Sequence, residues 1–338
     1  MFADIAVECS KDISTGQLDH TVNVYGEEKL VSELPKLVAT SVVRGSQQGE
    51  SHGGVYTIDF ETQECLQHVD WNTGEIDFEG RGADRGLRGI DVNNNDIHIA
   101  ASDELFCYDR NFRMQRSFRN RYLKHCHEIS RIDQTLFLTS TGFDCLLAFD
   151  LATNDFIWGM QLQKQGGKWE GVRFDPRTQQ GPHPSNEFHI NMVHVNENGI
   201  FLSGLKTGAL LHVNSSFEVM EVCNLPQGAH NAQPFGEGII LNDTASNHVR
   251  YVGRDGVNKA FKIVTYAEED IEFAGIDDSK VARQGFGRGL CAVGDRFLAG
   301  GSSPSTVTLY DLQSGEAVAS VNLTMDIRNA IHGLEVWA

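Results

Sequence analysis

The sequence is short of basic residues and of long apolar runs, and each shortage excludes a class of protein. Lys and Arg total 28 against 46 Asp and Glu, which gives a net charge of −18. DNA, RNA and anionic membrane surfaces do not attract so acidic a chain, so we expect neither a nucleic acid nor a membrane as its partner. No run approaches the roughly 18 apolar residues that a membrane-spanning helix requires.

Cysteine and proline are also sparse. The seven cysteines are odd in number, scattered and without a CxxC pair. The first residues lack the basic start and the apolar stretch of a secretory signal. We therefore predict a cytoplasmic protein with reduced thiols. A hydrophobic fraction of 40% is sufficient for a core, and 34 glycines beside seven prolines indicate many tight turns.

The chain contains a repeat made of two phrases. The first phrase is an apolar or alternating run, a polar turn and a second run, which is typical of a β-hairpin. Its copies are 55–69, 105–118, 146–162, 210–225, 249–264 and 307–323. The second phrase also reads strand, turn, strand. Its copies are 88–102, 127–141, 191–204, 230–243 and 288–301, and a sixth begins at 331–337.

Six units of four strands predict an all-β protein, a six-bladed β-propeller in one domain over 1–338. The last unit is cut short at 331–337, and the strand at 36–45 precedes the first hairpin. N-terminal strands therefore complete the last blade, which leaves no long exposed sheet edge. The alternatives are a β-sandwich, two smaller β domains, or a seventh blade from residues 1–35.

Two units carry polar, glycine-rich insertions at about 163–187 and 266–287. Loops of this length in a compact fold are often functional lids, and variable surface loops are the alternative.

The first strand of each propeller blade lines the central channel, so residues at one repeat position converge on the axis. Aligning the second phrase gives a ring of six: Arg88, His127, Asn191, His230, Arg288 and His332. The three histidines fall in alternate units, roughly 120° apart. Three neutral imidazoles around one centre suit a divalent transition metal, with zinc favoured and Fe(II) as the alternative. In the competing interpretation each histidine is a hydrogen-bonded turn residue.

Further polar residues surround this ring. With the two-residue period of a strand, His125 and His189 point to the same mouth and are candidate catalytic acids or bases. A solvated rim is the alternative, and His189 is also a candidate fourth metal ligand. Arg88 and Arg288 are candidate anion-binding residues, which favours an acidic substrate.

The arginines have a competing interpretation, and so does one cysteine. Arg88 and Arg288 could instead form salt bridges to Asp84, Asp91 or Glu128. Cys126 beside His127 resembles a nucleophile pair, but adjacent strand residues point to opposite faces, which disfavours it.

The ring resembles that of a known family. The chain looks like a six-bladed propeller of the NHL and streptogramin-lyase type, and its histidine trio is similar to that of the peptidyl-α-hydroxyglycine α-amidating lyases. This resemblance implies that His127, His230 and His332 hold zinc and that Arg88 is the substrate arginine.

We therefore predict a metal-dependent lyase that acts on a small anionic organic substrate at the channel mouth. A metal-dependent hydrolase and an iron oxygenase are variants on the same site. The alternative from another class is a non-enzymatic propeller that serves as an interaction platform.

Overall fold

The protein is all-β and consists of six antiparallel sheets. The computed structural model describes residues 22–24, 34–47, 49–72, 86–93, 95–274 and 283–337. Within these ranges the helices are two single 3-10 turns, Thr141–Phe143 and Glu268–Asp270. None of the described helices is long and apolar enough to cross a membrane.

The six sheets are the blades of a six-bladed β-propeller. Blade 1 is β5 (Ile90–Val92), β6 (Asp96–Ala101), β7 (Glu104–Asp109) and β8 (Met114–Arg119). Blade 2 is β9 (Ile129–Ile132), β10 (Thr135–Ser140), β11 (Cys145–Asp150), β12 (Asp155–Gln165) and β13 (Lys168–Phe174). Blade 3 is β14 (Ile190–Asn196), β15 (Gly199–Gly204), β16 (Ala209–Val213) and β17 (Val219–Asn224). Blade 4 is β18 (Ala229–Phe235), β19 (Gly238–Asp243), β20 (His248–Gly253) and β21 (Asn258–Lys262). Blade 5 is β22 (Leu290–Val293), β23 (Phe297–Ser302), β24 (Thr306–Asp311), β25 (Glu316–Asn322) and β1 (Val22–Val24). Blade 6 is β26 (Asn329–Val336), β2 (Lys36–Val43), β3 (Gly54–Asp59) and β4 (Glu64–Asp70).

The predicted closure is confirmed. Strand β26 near the C-terminal end pairs with β2 near the N-terminal end, in a register that sets Leu37 opposite Val336 and Val43 opposite Asn329. The six predicted hairpins coincide with β3–β4, β7–β8, β11–β12, β16–β17, β20–β21 and β24–β25. Of residues 1–35, the described strand β1 pairs with β25 and so extends blade 5.

The chain divides into two compact units, which are described separately. Unit 1 comprises Met1–Leu87, Asn247–Arg250 and Val257–Ala338, and unit 2 comprises Arg88–Ser246 and Tyr251–Gly256. Blades 5 and 6 lie in unit 1. Blades 1, 2 and 3 and strands β18 and β19 lie in unit 2. Each unit has its own apolar clusters between neighbouring sheets, built from the buried alternate residues of the strands.

The insertion at 163–187 is more ordered than its composition suggests. Strand β12 continues to Gln165, Gly166 and Gly167 form a left-handed turn, and β13 returns as a fifth strand of blade 2. The remainder is tied down, because Asn120 Nδ2 donates to the Pro176 carbonyl and Tyr122 Oη donates to that of Thr178. Residues 275–282 of the second insertion lie outside the described residues.

Candidate active site

Four of the six predicted ring positions lie together in unit 2. Arg88, His127, Asn191 and His230 stand at or just before the first strand of blades 1 to 4, and their exposed fractions are 0%, 8%, 3% and 6%. Successive first strands are neighbours, β5 with β9, β9 with β14 and β14 with β18. The four side chains therefore follow one arc. The two other ring residues, Arg288 and His332, lie in unit 1.

Irregularities of the backbone occur at these ring positions. The pairing of β14 with β15 shifts between Ile190 and Met192, so Asn191 is an extra, bulged residue. A similar shift follows His230 in β18. Bulges re-aim side chains and are frequent beside active sites.

A second repeated feature lies two residues before the ring. His125, His189 and Gly228 all have a left-handed backbone, with φ of 53°, 54° and 77°. The His125 carbonyl accepts a hydrogen bond from Nδ1 of His127 at 2.8 Å, and the Gly228 carbonyl accepts one from Nδ1 of His230 at 3.0 Å. The strict period of two that placed His125 and His189 therefore does not apply, because a left-handed residue interrupts the extended backbone.

Arg88 and His127 form a buried pair. Nη1 of Arg88 lies 3.0 Å from Nε2 of His127. Because a guanidinium can only donate, Nε2 accepts and Nδ1 carries the ring proton, which makes this imidazole neutral. The Thr141 hydroxyl lies 2.8 Å from the same Nδ1 and donates to the Ile190 carbonyl. Strand β14 is thereby linked to His127.

His189 is brought to this pair by a buried carboxylate. Its ring meets that of His127 edge to face, with 5.4 Å between the centroids. Asp144 has 0% exposure and accepts hydrogen bonds from the backbone N–H of Glu187 at 2.6 Å and of His189 at 2.9 Å, and from the hydroxyl of Ser185 at 2.8 Å. Of the two predicted acid–base histidines, His189 places its ring against His127. His125 contacts His127 through its backbone carbonyl.

A further polar chain was missed by the sequence reasoning. Asn231 Nδ2 donates to Oε2 of Glu128 at 3.3 Å, and Nδ2 of Asn242 donates to Oδ1 of Asn231 at 3.0 Å. Gly89 is required beside it, since a Cβ there would lie 2.7 Å from the Cα atom of Glu128 and 2.7 Å from the backbone nitrogen of Ile129. The sequence could have indicated this contact, because Glu128 and Asn231 directly follow His127 and His230 at the same repeat position.

Unit 1 contains the second arginine–histidine pair. Nη1 of Arg288 lies 3.4 Å from Nε2 of His332. The guanidinium of Arg288 also lies 4.5 Å from the centroid of the Phe286 ring, which Arg283 approaches to 5.0 Å. Arg88 and Arg288 also make matching backbone bonds, to the carbonyls of Ala100 and Gly301, which confirms their equivalence in the repeat.

The carboxylates suggested as salt-bridge partners of the two arginines, and Cys126 as a nucleophile, have separate outcomes. Asp91 forms its ion pair with Arg131 at 2.8 Å. Asp84 lies outside the described residues. Cys126 is fully buried, and burial raises the pKa of its thiol to about 12, so it is a neutral thiol at physiological pH and not a nucleophile.

The histidines fit a metal ion only in part. The Nδ1 atoms of His127 and His230 donate to backbone carbonyls, the arrangement that orients Nε2 toward a metal in many sites. At His127, however, Arg88 already donates to Nε2, and a metal ion needs that same lone pair. Across the described ranges, no cluster of three or more His, Cys, Asp or Glu side chains is placed to hold a metal.

No protein-family model and no curated protein matches this chain. A nidogen/laminin complex aligns with a TM-score of 0.53 and 8% identity, over 88% of this chain and 97% of that chain. A protein of unknown function from Bacteroides caccae aligns with a TM-score of 0.53 and 10% identity, over 89% and 98%. The likeness is one of fold.

A more distant neighbour has a stated activity. A catalytically inactive virginiamycin B lyase from Staphylococcus aureus, solved with quinupristin, aligns with a TM-score of 0.44 and 9% identity, over 96% of this chain and all of that chain. The six sheets of the structure, and not this match, confirm the propeller expected from the family resemblance. The zinc trio and the amidating-lyase chemistry stay predictions.

Proposed function

We propose that the protein is a lyase that acts on a small organic anion, and that the arc of unit 2 is its active site. The observation that carries the proposal is the buried Arg88–His127 pair, in which a guanidinium is oriented by a neutral imidazole with the His189 ring against it. A buried guanidinium binds a carboxylate or another oxyanion far more strongly than an exposed one, because the low local dielectric strengthens the charge-assisted hydrogen bonds.

The same arrangement supplies what an elimination requires. Arg88 binds the carboxylate and stabilises the negative charge that builds up when the neighbouring carbon loses its proton. His189, whose Nδ1 lies 2.9 Å from Oδ1 of Asn186, is the base that takes the proton. The electron pair of the broken C–H bond forms the C=C bond, and the leaving group departs with the electron pair of its own bond to carbon and takes a proton from water. His127 acts as a positioning residue for Arg88.

The anion-binding step is tested by ligand-observed NMR with propionate and malonate. We expect Arg88→Gln to weaken the binding of both by at least tenfold, the loss typical of a charge-assisted pair. Arg131→Gln is the matched control, since Arg131 also contacts a histidine, His98, at 3.2 Å but lies outside the ring. Equal affinities of the wild type and both variants would rule out the site.

The elimination step is tested with malate and 3-hydroxypropionate in D2O, followed by 1H NMR. Olefinic product or loss of the α-proton signal supports a lyase, and both should disappear in His189→Gln. Hydrolysis of an ester or lactone panel without α-exchange would instead indicate the hydrolase variant. Anion binding without any turnover would favour the interaction platform.

Metal dependence is a second, competing proposal, in which His127, His230 and His332 hold zinc or Fe(II) and the ion replaces Arg88 at Nε2 of His127. The Nδ1 hydrogen bonds of His127 and His230 to backbone carbonyls support it. When bound, the ion would polarise a substrate oxygen. Elemental analysis of the purified protein, beside a variant with alanine at all three positions, is the test. About one equivalent in the parent and none in the variant is expected; a parent that stays metal-free after reconstitution contradicts the proposal.

A further inference from the structure

Asn191 is the ring residue for which neither the predicted chemistry nor the fold supplies a role. Its side chain is 3% exposed, and neither Nδ2 nor Oδ1 has a hydrogen-bond partner among the described residues. A carboxamide has two donor hydrogens and an acceptor oxygen, and burying them unpaired destabilises the folded state. Buried amides of this kind are rare, and each calls for an explanation.

The two residues that precede Asn191 hold it at the proposed site. The carbonyl of the preceding residue, Ile190, accepts the hydroxyl of Thr141 at 2.5 Å, and that hydroxyl also contacts His127. His189, two residues before, places its ring against His127. The β-bulge leaves Asn191 without a cross-strand partner in β15.

A second polar side chain beside this bulge also lacks a hydrogen-bond partner among the described residues. Ser203, with 0% exposure, stands opposite Met192 in β15, and its hydroxyl has no partner among the described residues. The residues at the same repeat position in the neighbouring blades, Thr139 and Asn242, make side-chain hydrogen bonds. Thr139 Oγ1 accepts from the backbone N–H of His127, and Asn242 Nδ2 donates to Asn231. In blade 3, therefore, neither Asn191 nor Ser203 makes a side-chain hydrogen bond among the described residues, whereas Thr139 and Asn242 each make at least one.

We infer that Asn191 is a specificity-determining residue, and that the substrate carries, beside its anion, a neutral group that both donates and accepts a hydrogen bond. A carboxamide or a hydroxyl meets this requirement, because it can engage both Oδ1 and Nδ2. An ester or ether offers acceptors alone and leaves Oδ1 unpaired. The inference rests on the proposed anion site, since Arg88 is the partner of the carboxylate.

The probes are two pairs of small carboxylates, and in each pair only one member carries a neutral hydrogen-bond donor. Malonamate is compared with monomethyl malonate, and 3-hydroxypropionate with 3-methoxypropionate, by NMR titration of the wild type, Asn191→Leu and the same-blade control Asn198→Leu. In at least one pair we expect the donor-bearing member to bind the wild type about tenfold more tightly, the factor for one net hydrogen bond. The pair that shows the preference identifies the group as carboxamide or hydroxyl. The preference should vanish in Asn191→Leu and persist in Asn198→Leu.

A thermal melt separates recognition from a purely structural role. Without ligand, Asn191→Leu should melt a few degrees above the wild type, because the leucine removes an unpaired buried amide. A lower melting temperature would show that the amide is satisfied within the fold, and it would overturn the inference. A preference retained in Asn191→Leu, or absent from the wild type, would also overturn it. If no carboxylate binds the wild type, the proposed function itself fails; if carboxylates bind without preference, only the role of Asn191 fails.

Discussion

At the residue scale, two arginine–histidine contacts show how the same two side chains take different roles. Arg131 contacts Nδ1 of His98 at 3.2 Å and forms an ion pair with Asp91. Arg88 is instead wholly buried against Nε2 of His127. The repeat alignment predicted the positions of Arg88 and His127. It could not predict that they bind each other, because an alignment locates backbone positions and not side-chain hydrogen bonds.

Cys126 should be inert although it adjoins His127. Burial raises the pKa of its thiol to about 12, so almost no reactive thiolate forms at pH 8. We expect iodoacetamide at pH 8 to label the half-buried Cys223 well before Cys126 in the native protein, as followed by peptide mass spectrometry. Cys126→Ala should leave anion binding unchanged. Rapid native labelling of Cys126 would show a lowered thiol pKa and restore it as a candidate nucleophile.

At the scale of elements, one turn motif recurs where the third strand of a blade ends. Asp or Asn caps the following hairpin turn by accepting backbone N–H bonds, the Asx turn that the phrases YTID, FCYD, LAFD, LHVN and TLYD spell out. The capping residues are Asp59, Asp109, Asp150, Asn214 and Asp311. The hairpins could be predicted from sequence because their information is local.

The elements that position the site depend on contacts between residues that lie far apart in the sequence. The turns that place His125 and His189 depend on left-handed residues, and the 185–189 segment depends on Asp144, more than forty residues away. No spacing in the sequence connects Asp144 with His189. The insertion at 163–187 was similarly interpreted as a polar loop, because the pairing of β13 with β12 is set by the Gly166–Gly167 turn and not by an apolar pattern.

Asp144 should control the order of the segment that carries His189. Asp144→Ala removes an acceptor of several backbone and hydroxyl hydrogen bonds, which we expect to cost about 2–4 kcal/mol of unfolding free energy. Hydrogen–deuterium exchange should show faster exchange of the Glu187 and His189 amides. The control is Asp175→Ala in the insertion at 163–187, where an exposed carboxylate pairs with Arg177 and its removal should change the unfolding free energy little. Unchanged protection in Asp144→Ala would contradict this anchoring role.

Asp311 should give the protein part of its acid sensitivity. Burial alone raises the pKa of this carboxyl, but hydrogen bonds from Arg296 and from the Gln313 backbone outweigh burial and hold the pKa below its usual value. A lowered folded pKa stabilises the protein above the unfolded pKa of about 3.9, and this contribution is lost as pH falls through the folded pKa. Urea unfolding of Asp311→Asn should therefore depend less on pH below about 4 than that of the wild type. Parallel curves for the two proteins would contradict the assignment.

At the scale of the whole molecule, closure of blade 6 is the feature that the sequence predicted most directly. The unmatched half-unit at 331–337 needed partners, and 36–45 was the strand available to supply them. Strand β26 brings Ile331 and Leu334, with 0% and 7% exposure, into the apolar cluster of unit 1. The backbone N–H of Gly333 also donates to Oγ1 of Thr40 at 2.9 Å. The C-terminal strand is thus part of the core, and removing it should expose both apolar surface and a strand edge.

Truncation after Arg328 should therefore aggregate or unfold at moderate temperature, and a synthetic peptide of residues 329–338 should restore the fold by adding the missing strand. Because Ile331 and Leu334 both belong to the apolar cluster, a control peptide with Asp at positions 331 and 334 keeps the backbone donors but should not rescue. Circular dichroism melts of the truncated chain with each peptide measure the effect. A truncated chain that melts like the full chain would show that closure contributes little, whereas the burial of Ile331 and Leu334 predicts a loss of several kcal/mol.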